Sequence, residues 1–295
     1  MKRRLFFLLL CSGLMIHLAA QRIEVQTPRL VSEAGTEVFY PKFTPDGKTI
    51  LLTSVNYTGL KSLNLESKQV RELTAEPGAG WNVLVSQDSK TLFYQSIDFS
   101  NDPSGIATFR TLNVETHRVA PLASFESLEV QKPNELAIRP RATAQTPTVV
   151  YVNEDLKIVV ERNGRKNVIA PNGPDADYIW ATLSPDGTKI SYYSMLTGEV
   201  FICDLSGRIL SNLGAMDAPV WLTNDWIVGM NEVNNGRVVT ASNIVAITVD
   251  GRVKQDLTPA GGNLIAMFPA VSPDGRTIAF NTLDGKLYVM EISVK

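Results

Sequence analysis

The sequence predicts an all-β fold: a six-bladed β-propeller of four-stranded blades, with the last blade closed by the N-terminal strand. Three observations carry this prediction. A tight-turn phrase recurs along the chain, apolar strand-like segments flank each copy, and the copies are spaced as propeller blades require. Nearly the same residues stand at Thr44-Pro45-Asp46-Gly47-Lys48-Thr49-Ile50, Ser184-Pro185-Asp186-Gly187-Thr188-Lys189-Ile190 and Ser272-Pro273-Asp274-Gly275-Arg276-Thr277-Ile278, with a decayed copy at Ser86-Gln87-Asp88-Ser89-Lys90-Thr91-Leu92.

The turn phrase has a physical logic. Ser or Thr opens the turn, Pro presets φ near −65°, Asp bonds locally to the backbone, and Gly takes a positive φ. Segments such as Ile50-Leu51-Leu52 and Ile278-Ala279-Phe280 then read as buried strands. Two weaker copies fill the gaps. Trp221-Leu222-Thr223-Asn224-Asp225 occupies the fifth turn, and Thr148-Val149-Val150-Tyr151-Val152 matches the strand after the third, placing Gln145 at that turn. With Asp46, Asp88, Gln145, Asp186, Asn224 and Asp274 as anchors, the spacings are 42, 57, 41, 38 and 50 residues. A period in the forties built of short strands is the signature of propeller blades.

Within the first period four strands follow in order, over residues 39–43, 49–54, 60–65 and 70–74. The second hairpin recurs over 200–204 with 209–213, and over 244–250 with 253–257. In the last period residues 287–292 form only a third strand. The segment Pro28-Arg29-Leu30-Val31-Ser32-Glu33-Ala34-Gly35 resembles Lys254-Gln255-Asp256-Leu257-Thr258-Pro259-Ala260-Gly261, an outer strand leading into the next blade. Residues 23–31 are therefore expected to complete the sixth blade and leave few unpaired edges.

Residues 1–20 have the layout of a cleavable export signal: Lys2, Arg3 and Arg4, an apolar run from Leu5 to Leu18, then Ala19 and Ala20. The run is too short for a spanning helix, so cleavage near Ala20 and a single domain over 21–295 are expected. Cys11 raises a lipoprotein alternative, but Leu8, Leu9 and Leu10 before it lack the small residue such a site wants. Cleavage removes three of the 28 basic residues and none of the 30 acidic ones, moving the net charge from −2 to −5. That balance gives no electrostatic footprint for nucleic acid. Cys203 is then the sole cysteine, so no intramolecular disulfide forms despite export.

The segments Pro41-x-Phe43-Thr44-Pro45-Asp46-Gly47 and Pro269-x-Val271-Ser272-Pro273-Asp274-Gly275 resemble the repeats of the TolB propeller family, and the resemblance covers the whole chain after residue 20. The same repeat is similar to blades of tricorn-like and prolyl-oligopeptidase-like proteases. A TolB protein would also carry an N-terminal α/β domain, and those proteases a hydrolase domain; this sequence offers neither. The resemblance implies an isolated exported propeller, periplasmic or secreted, that binds a protein at the bacterial cell envelope.

The residues themselves point away from catalysis. After cleavage the one histidine is His117, in the turn Glu115-Thr116-His117-Arg118, and no G-x-S-x-G, H-E-x-x-H or C-x-x-C sequence is present. No cofactor or metal is assigned. Asp98, Asn101 and Asp102 suggest Ca²⁺, but without a recognised loop spacing. The turn aspartates Asp46, Asp186 and Asp274 are accounted for by turn chemistry.

Loop length is more informative. Turns between the first and second and between the third and fourth strands share one face and are short; the remaining connections vary. Residues 97–105 and 231–242 are read as long loops, and Val55-Asn56-Tyr57-Thr58 adds an aromatic. Variable loops on a rigid scaffold are where recognition residues concentrate, which selects Tyr57, Phe99, Asn101, Asp102, Asn234 and Asn235 as partner-binding candidates. Tyr40, Trp180 and Phe268 align at the start of the innermost strand, either ringing the channel mouth or packing between blades. Arg139 and Arg141, in a long third-blade hairpin, are a separate candidate on the opposite face. The second functional reading is a propeller that binds or cleaves carbohydrate, with Trp180 stacking on the sugar.

Overall fold

The computed structural model describes residues 22–33, 35–100, 104–123, 148–153 and 155–295. The leader with Cys11, Asn101, Asp102, Gln145, Arg139 and Arg141 lie outside the described residues. Six antiparallel sheets follow one another along the chain and form the six blades. After two short N-terminal pieces, β1 (Ile23–Val25) and β2 (Arg29–Leu30), the first blade comprises β3 (Phe39–Phe43), β4 (Thr49–Thr53), β5 (Leu60–Asn64) and β6 (Val70–Thr74). The second comprises β7 (Leu84–Val85), β8 (Thr91–Asp98), β9 (Ile106–Asn113) and β10 (Val119–Leu122). Among the described residues the third has β11 (Thr148–Val152), β12 (Ile158–Arg162) and β13 (Arg165–Ile169).

The fourth blade is β14 (Tyr178–Leu183), β15 (Lys189–Ser194), β16 (Glu199–Asp204) and β17 (Ile209–Gly214). The fifth is β18 (Asp217–Trp221), β19 (Trp226–Asn234), β20 (Val239–Thr248) and β21 (Lys254–Asp256). The sixth has β22 (Ala266–Val271), β23 (Thr277–Thr282) and β24 (Leu287–Val294), and β1 and β2 supply its fourth strand as expected. β1 pairs with the end of β24, Ile23 opposite Val294, and β2 with its start, Leu30 opposite Tyr288. The break between them falls at Pro28, which has no amide to give a ladder.

The core lies between the blades. Ile50 and Leu52 of β4 pack with Ala270, Ala279 and Val289 of the sixth blade, whereas Leu51 packs with Val85, Leu92 and Tyr94 of the second. Alternate side chains thus enter opposite seams, so a strand buried on both sides reads as an unbroken apolar run. The closing strand takes part: Ile23 is buried with Trp226, Leu257 and Ile292, and its amide and carbonyl both bond the Gln255 side chain. Cys203 sits in the seam between the third and fourth blades, and burial pushes its thiol up to about 12. Trp221 is half-buried between the fourth and fifth, its Nε1 donating to the Thr182 carbonyl at 3.1 Å.

Two segments differ from the sequence expectation. Residues 231–242 are not an open loop: Asn231 pairs with Asn243, Glu232 with Ser242 and Val233 with Ala241, leaving a short turn at 235–238. Ile97 and Asp98 likewise belong to strand β8, opposite Ala107 and Ile106. In the fifth-blade extension polar residues replace the apolar alternation because their side chains are satisfied locally, Asn243 donating to Asp256 and Ser242 to the Ala266 carbonyl.

Candidate functional site

The repeated turns form one face of the disc. In each, the opening hydroxyl bonds the turn aspartate at 2.6 Å, as Thr44 does Asp46, Ser86 Asp88, Ser184 Asp186 and Ser272 Asp274. Neighbouring turns are also linked: the Asp46 amide donates to Ser89 Oγ at 3.1 Å, and the Asp186 amide to Asn224 Oδ1 at 2.9 Å. In the decayed copy Ser89 itself holds φ 61 where the others have glycine. The turn aspartates are therefore occupied as structural groups. His117 is exposed in the turn between β9 and β10 with φ 54, on this same face.

The opposite face begins at a row of backbone bulges. The innermost strands β3, β14, β18 and β22 each shift register at their start, and one residue in each is left-handed: Tyr40 (φ 52), Trp180 (φ 54), Ala218 (φ 48) and Phe268 (φ 51). Asn82 (φ 52) holds the equivalent place just before β7. Left-handed backbone costs a residue with a Cβ roughly 1–2 kcal/mol, and bulges re-aim the side chains they carry. The bulge amides are tied to the preceding blade: Tyr40 donates to Asn281 Oδ1 at 3.0 Å and Phe268 to Met230 Sδ at 3.3 Å.

Tyr40, Trp180 and Phe268 thus occupy the aligned positions the sequence indicated. Two of them meet across the closure seam, with Tyr40 and Phe268 centroids 4.5 Å apart. Tyr57, in a short 3₁₀ turn after β4, stacks on Tyr40 at 4.3 Å and receives the edge of Trp81 at 4.8 Å. Rings from the sixth, first and second blades therefore form one continuous cluster. Burial first, then the neighbouring Tyr40 hydroxyl, raises the Tyr57 phenol. Trp180 stands apart, edge-on to Tyr193 at 5.4 Å, and is 39% exposed.

Trp81 escaped the sequence reading although it is 50% exposed. The available signal is Gly80 before it. A Cβ at Gly80 would lie 2.2 Å from Thr53 Oγ1, and the Gly80 amide donates to the Tyr57 carbonyl at 3.0 Å. Glycine thus lets the connection between blades press against the first blade and deliver the indole to Tyr57.

Around these rings, the connection between second and third strands carries an exposed apolar side chain in every blade. They are Val55, Phe99, Leu156, Met195 and Leu196, Val233 and Val238, and Leu283. None of the exposed large apolar side chains among the described residues lies in the turns of the other face. The two longest hairpins rise from the second and fifth blades, which are opposite in a ring of six. Among the described residues β10 pairs with β9 from Leu112 to Phe109, and β21 with β20 from Val245 to Ile247, the Leu257 and Thr258 amides adding bonds to the Ile244 carbonyl. Beyond those points the hairpins stand as two-stranded walls flanking the channel mouth. Phe99 tops one, its neighbour Ser100 donating to Asp98 through both amide and hydroxyl. Asn234 and Asn235 top the other, accepting from the Gly236, Arg237 and Val238 amides at 3.1 Å. Those two asparagines form the turn, and they are exposed at the tip together with Val233 and Val238.

A cavity of about 210 Å³ lies at the foot of the fifth-blade wall, lined by Tyr193, Gly198, Ala215, Met216, Asp217, Met230, Asn231 and Glu232. Burial, then the Glu232 charge, raises the Asp217 carboxyl above its ordinary range. No group of three or more metal-ligating side chains gathers among the described residues, and no helix among them is long and apolar enough to cross a membrane.

No family model matches this sequence, and no curated protein matches it. Solved structures do. A TolB-designated protein of Agrobacterium tumefaciens aligns with a TM-score of 0.55 and 16% identity, over 93% of this chain and 99% of that one. A calcium-binding protein of Agrobacterium tumefaciens, regucalcin, aligns with a TM-score of 0.57 and 16% identity, over 91% and 95%. An oligogalacturonate lyase in complex with manganese aligns with a TM-score of 0.44 and 13% identity, over 89% and 79%. At such identities what is shared is architecture, and the chain has a TolB-like propeller fold.

Proposed function

We propose that this protein is an exported, noncatalytic binding module that receives a protein partner on its aromatic face at the bacterial cell envelope. The observation that carries the reading is the segregation of exposed apolar side chains. Every blade contributes to the bulge-bearing face, and among the described residues no exposed large apolar side chain lies within the turns of the other face. Contiguous exposed apolar surface on a folded domain marks an interaction site, and aromatic anchors dominate interface energetics. A partner lying between the two hairpin walls would cover roughly 800 Å² of this face, as a standard interface does. The two groups best suited to nucleophilic or acid–base work support a noncatalytic role: Cys203 is buried with its thiol pushed up to about 12, and His117 sits on the polar face.

The test is capture of a specific envelope protein by the chain lacking residues 1–20. Replacing residues 99–105 with a short Gly-Ser turn, or substituting Trp81→Ala, should abolish capture; retention in both would overturn the assignment. Exposed Trp81 and Trp180 also suit stacking on a sugar ring. Glycan-array binding lost with Trp180→Ala, with no protein captured, would favour the carbohydrate reading instead.

A further inference from the structure

The cavity at the foot of the fifth-blade wall opens between the fourth and fifth blades on the bulge-bearing face, and it is lined by two acids and no base. Asp217 starts β18 directly before the left-handed residue Ala218, and a bulge re-aims the side chains around it. Glu232 lies on β19 where the wall begins. Tyr193 completes the acidic corner: burial first, then the charges of Asp217 and Glu232, raises its phenol. No Lys or Arg among the described residues pairs with either acid. Lys254 donates instead to Asn231 Oδ1 at 3.3 Å, and Glu232 Oε1 accepts from Asn234 Nδ2 at 3.1 Å. The Asp217 carboxylate and the Tyr193 hydroxyl have no hydrogen-bond partner among the described residues. A Cβ at Gly198 would stand 3.7 Å from that hydroxyl, so glycine there keeps the space beside it open.

Size and lining select the occupant. A volume of about 210 Å³ falls short of the roughly 300–1,000 Å³ of sites that enclose whole drug-sized ligands, and suits a single side chain. The rim is apolar: Met195 and Leu196 precede Gly198 in the same turn, Val233 follows Glu232, and all three are more than half exposed. A long basic side chain lays its methylenes along such a rim and carries its charge to the acids. An aromatic wall adds attraction for an organic cation. Two carboxylates beside the Met216 and Met230 thioethers are a poor set for Ca²⁺, which takes about six to eight oxygens.

We infer that this cavity receives a Lys or Arg side chain of the bound protein, its cationic head held by Asp217 and Glu232. The inference rests on the protein-binding reading of that face and adds the charge the partner carries to it. The charge-assisted hydrogen bonds that form are short and strong.

The site is testable without the partner. In protein carrying ¹³C at the methionine methyl groups, the Met216 and Met230 resonances are identified by their loss in Met216→Leu and Met230→Leu. N-acetyl-lysine methylamide and N-acetyl-arginine methylamide are then titrated at constant ionic strength, with N-acetyl-norleucine methylamide as the neutral control. Saturable shifts at both methyl groups with either basic analogue are expected, and none with norleucine. Asp217→Asn combined with Glu232→Gln removes two like charges, so it should keep the parent's Tm or exceed it and abolish the shifts. The inference is wrong if norleucine shifts the methyl groups equally, if the shifts survive the double substitution, or if no analogue saturates. It is equally wrong if Ca²⁺ saturates the site and the basic analogues do not. With a partner in hand, the double substitution should weaken capture on the order of 10- to 100-fold. Analogue binding without any captured protein would sink the protein-binding reading and leave a cation pocket. Capture undiminished in the double variant would sink the pocket's role and leave the reading of the face.

Discussion

The two faces of the disc are the two ends of the same strands, yet they are built to opposite rules. On one, a four-residue phrase satisfies its own polar groups and hands a hydrogen bond to the next turn, as Asp186 does to Asn224. Its residues repeat because the local chemistry leaves few alternatives. On the other, bulges hold Tyr40, Trp180 and Phe268 in backbone conformations their side chains disfavour, and each blade offers at least one apolar side chain to solvent. Strain and exposed apolar surface lower stability, and strain collects where structure serves function. The contrast teaches that one end of the blades holds the ring together and the other is free to recognise.

Both faces depend on closure, so the largest effect belongs to the N-terminal strand. Removing residues 22–31 takes Ile23 out of the seam between the fifth and sixth blades. Burial losses of about 3 kcal/mol per large side chain predict a fall in Tm of at least about 10 °C by calorimetry. An unchanged Tm would show that β24 needs no partner. Next comes Asp186→Ala on the polar face. Losing its bonds to Ser184 and Thr188 should cost about 1–2 kcal/mol, seen as a Tm lower by about 3–5 °C, with partner capture intact.

Trp180→Gly reverses that pattern. It relieves left-handed strain worth roughly 1 kcal/mol and loses one edge contact with Tyr193, so Tm should stay within about 2 °C of the parent while binding falls. A large loss of stability would mean that the bulge aromatics are core residues, and the comparison between faces would break. The smallest effect concerns Asp217. Its carboxyl is raised in the fold, so ionisation opposes folding at neutral pH, and the penalty fades as pH drops through the folded pKa toward the unfolded value. Asp217→Asn should therefore raise Tm by about 1 °C at pH 7 and leave it unchanged near pH 3.5.

Much of the polar face was legible in the sequence because turn chemistry is local: Pro, Asp and Gly at fixed offsets name their own backbone conformations. Closure was legible through the likeness of residues 28–35 to 254–261. The aromatic face was legible only in part. Tyr40, Trp180 and Phe268 align by register, but nothing in an aromatic side chain announces a positive φ, and Asn82 and Ala218 share the bulge without sharing the residue type. The fifth-blade wall was read as a loop because its polar pairs, such as Asn231 with Asn243, carry no apolar alternation. Trp81 was missed because it matters through a neighbour distant in sequence, Tyr57.

The central claim is that recognition occurs on the bulge-bearing face. Site-specific photocrosslinking tests it most directly, with a photoreactive phenylalanine placed singly at Leu196 and Val238 on that face and at Lys48 and Arg252 on the other. In a cell-envelope extract the first pair should give one shared crosslinked partner and the second pair none. Crosslinks arising from Lys48 and Arg252, with none from Leu196 and Val238, would contradict the account.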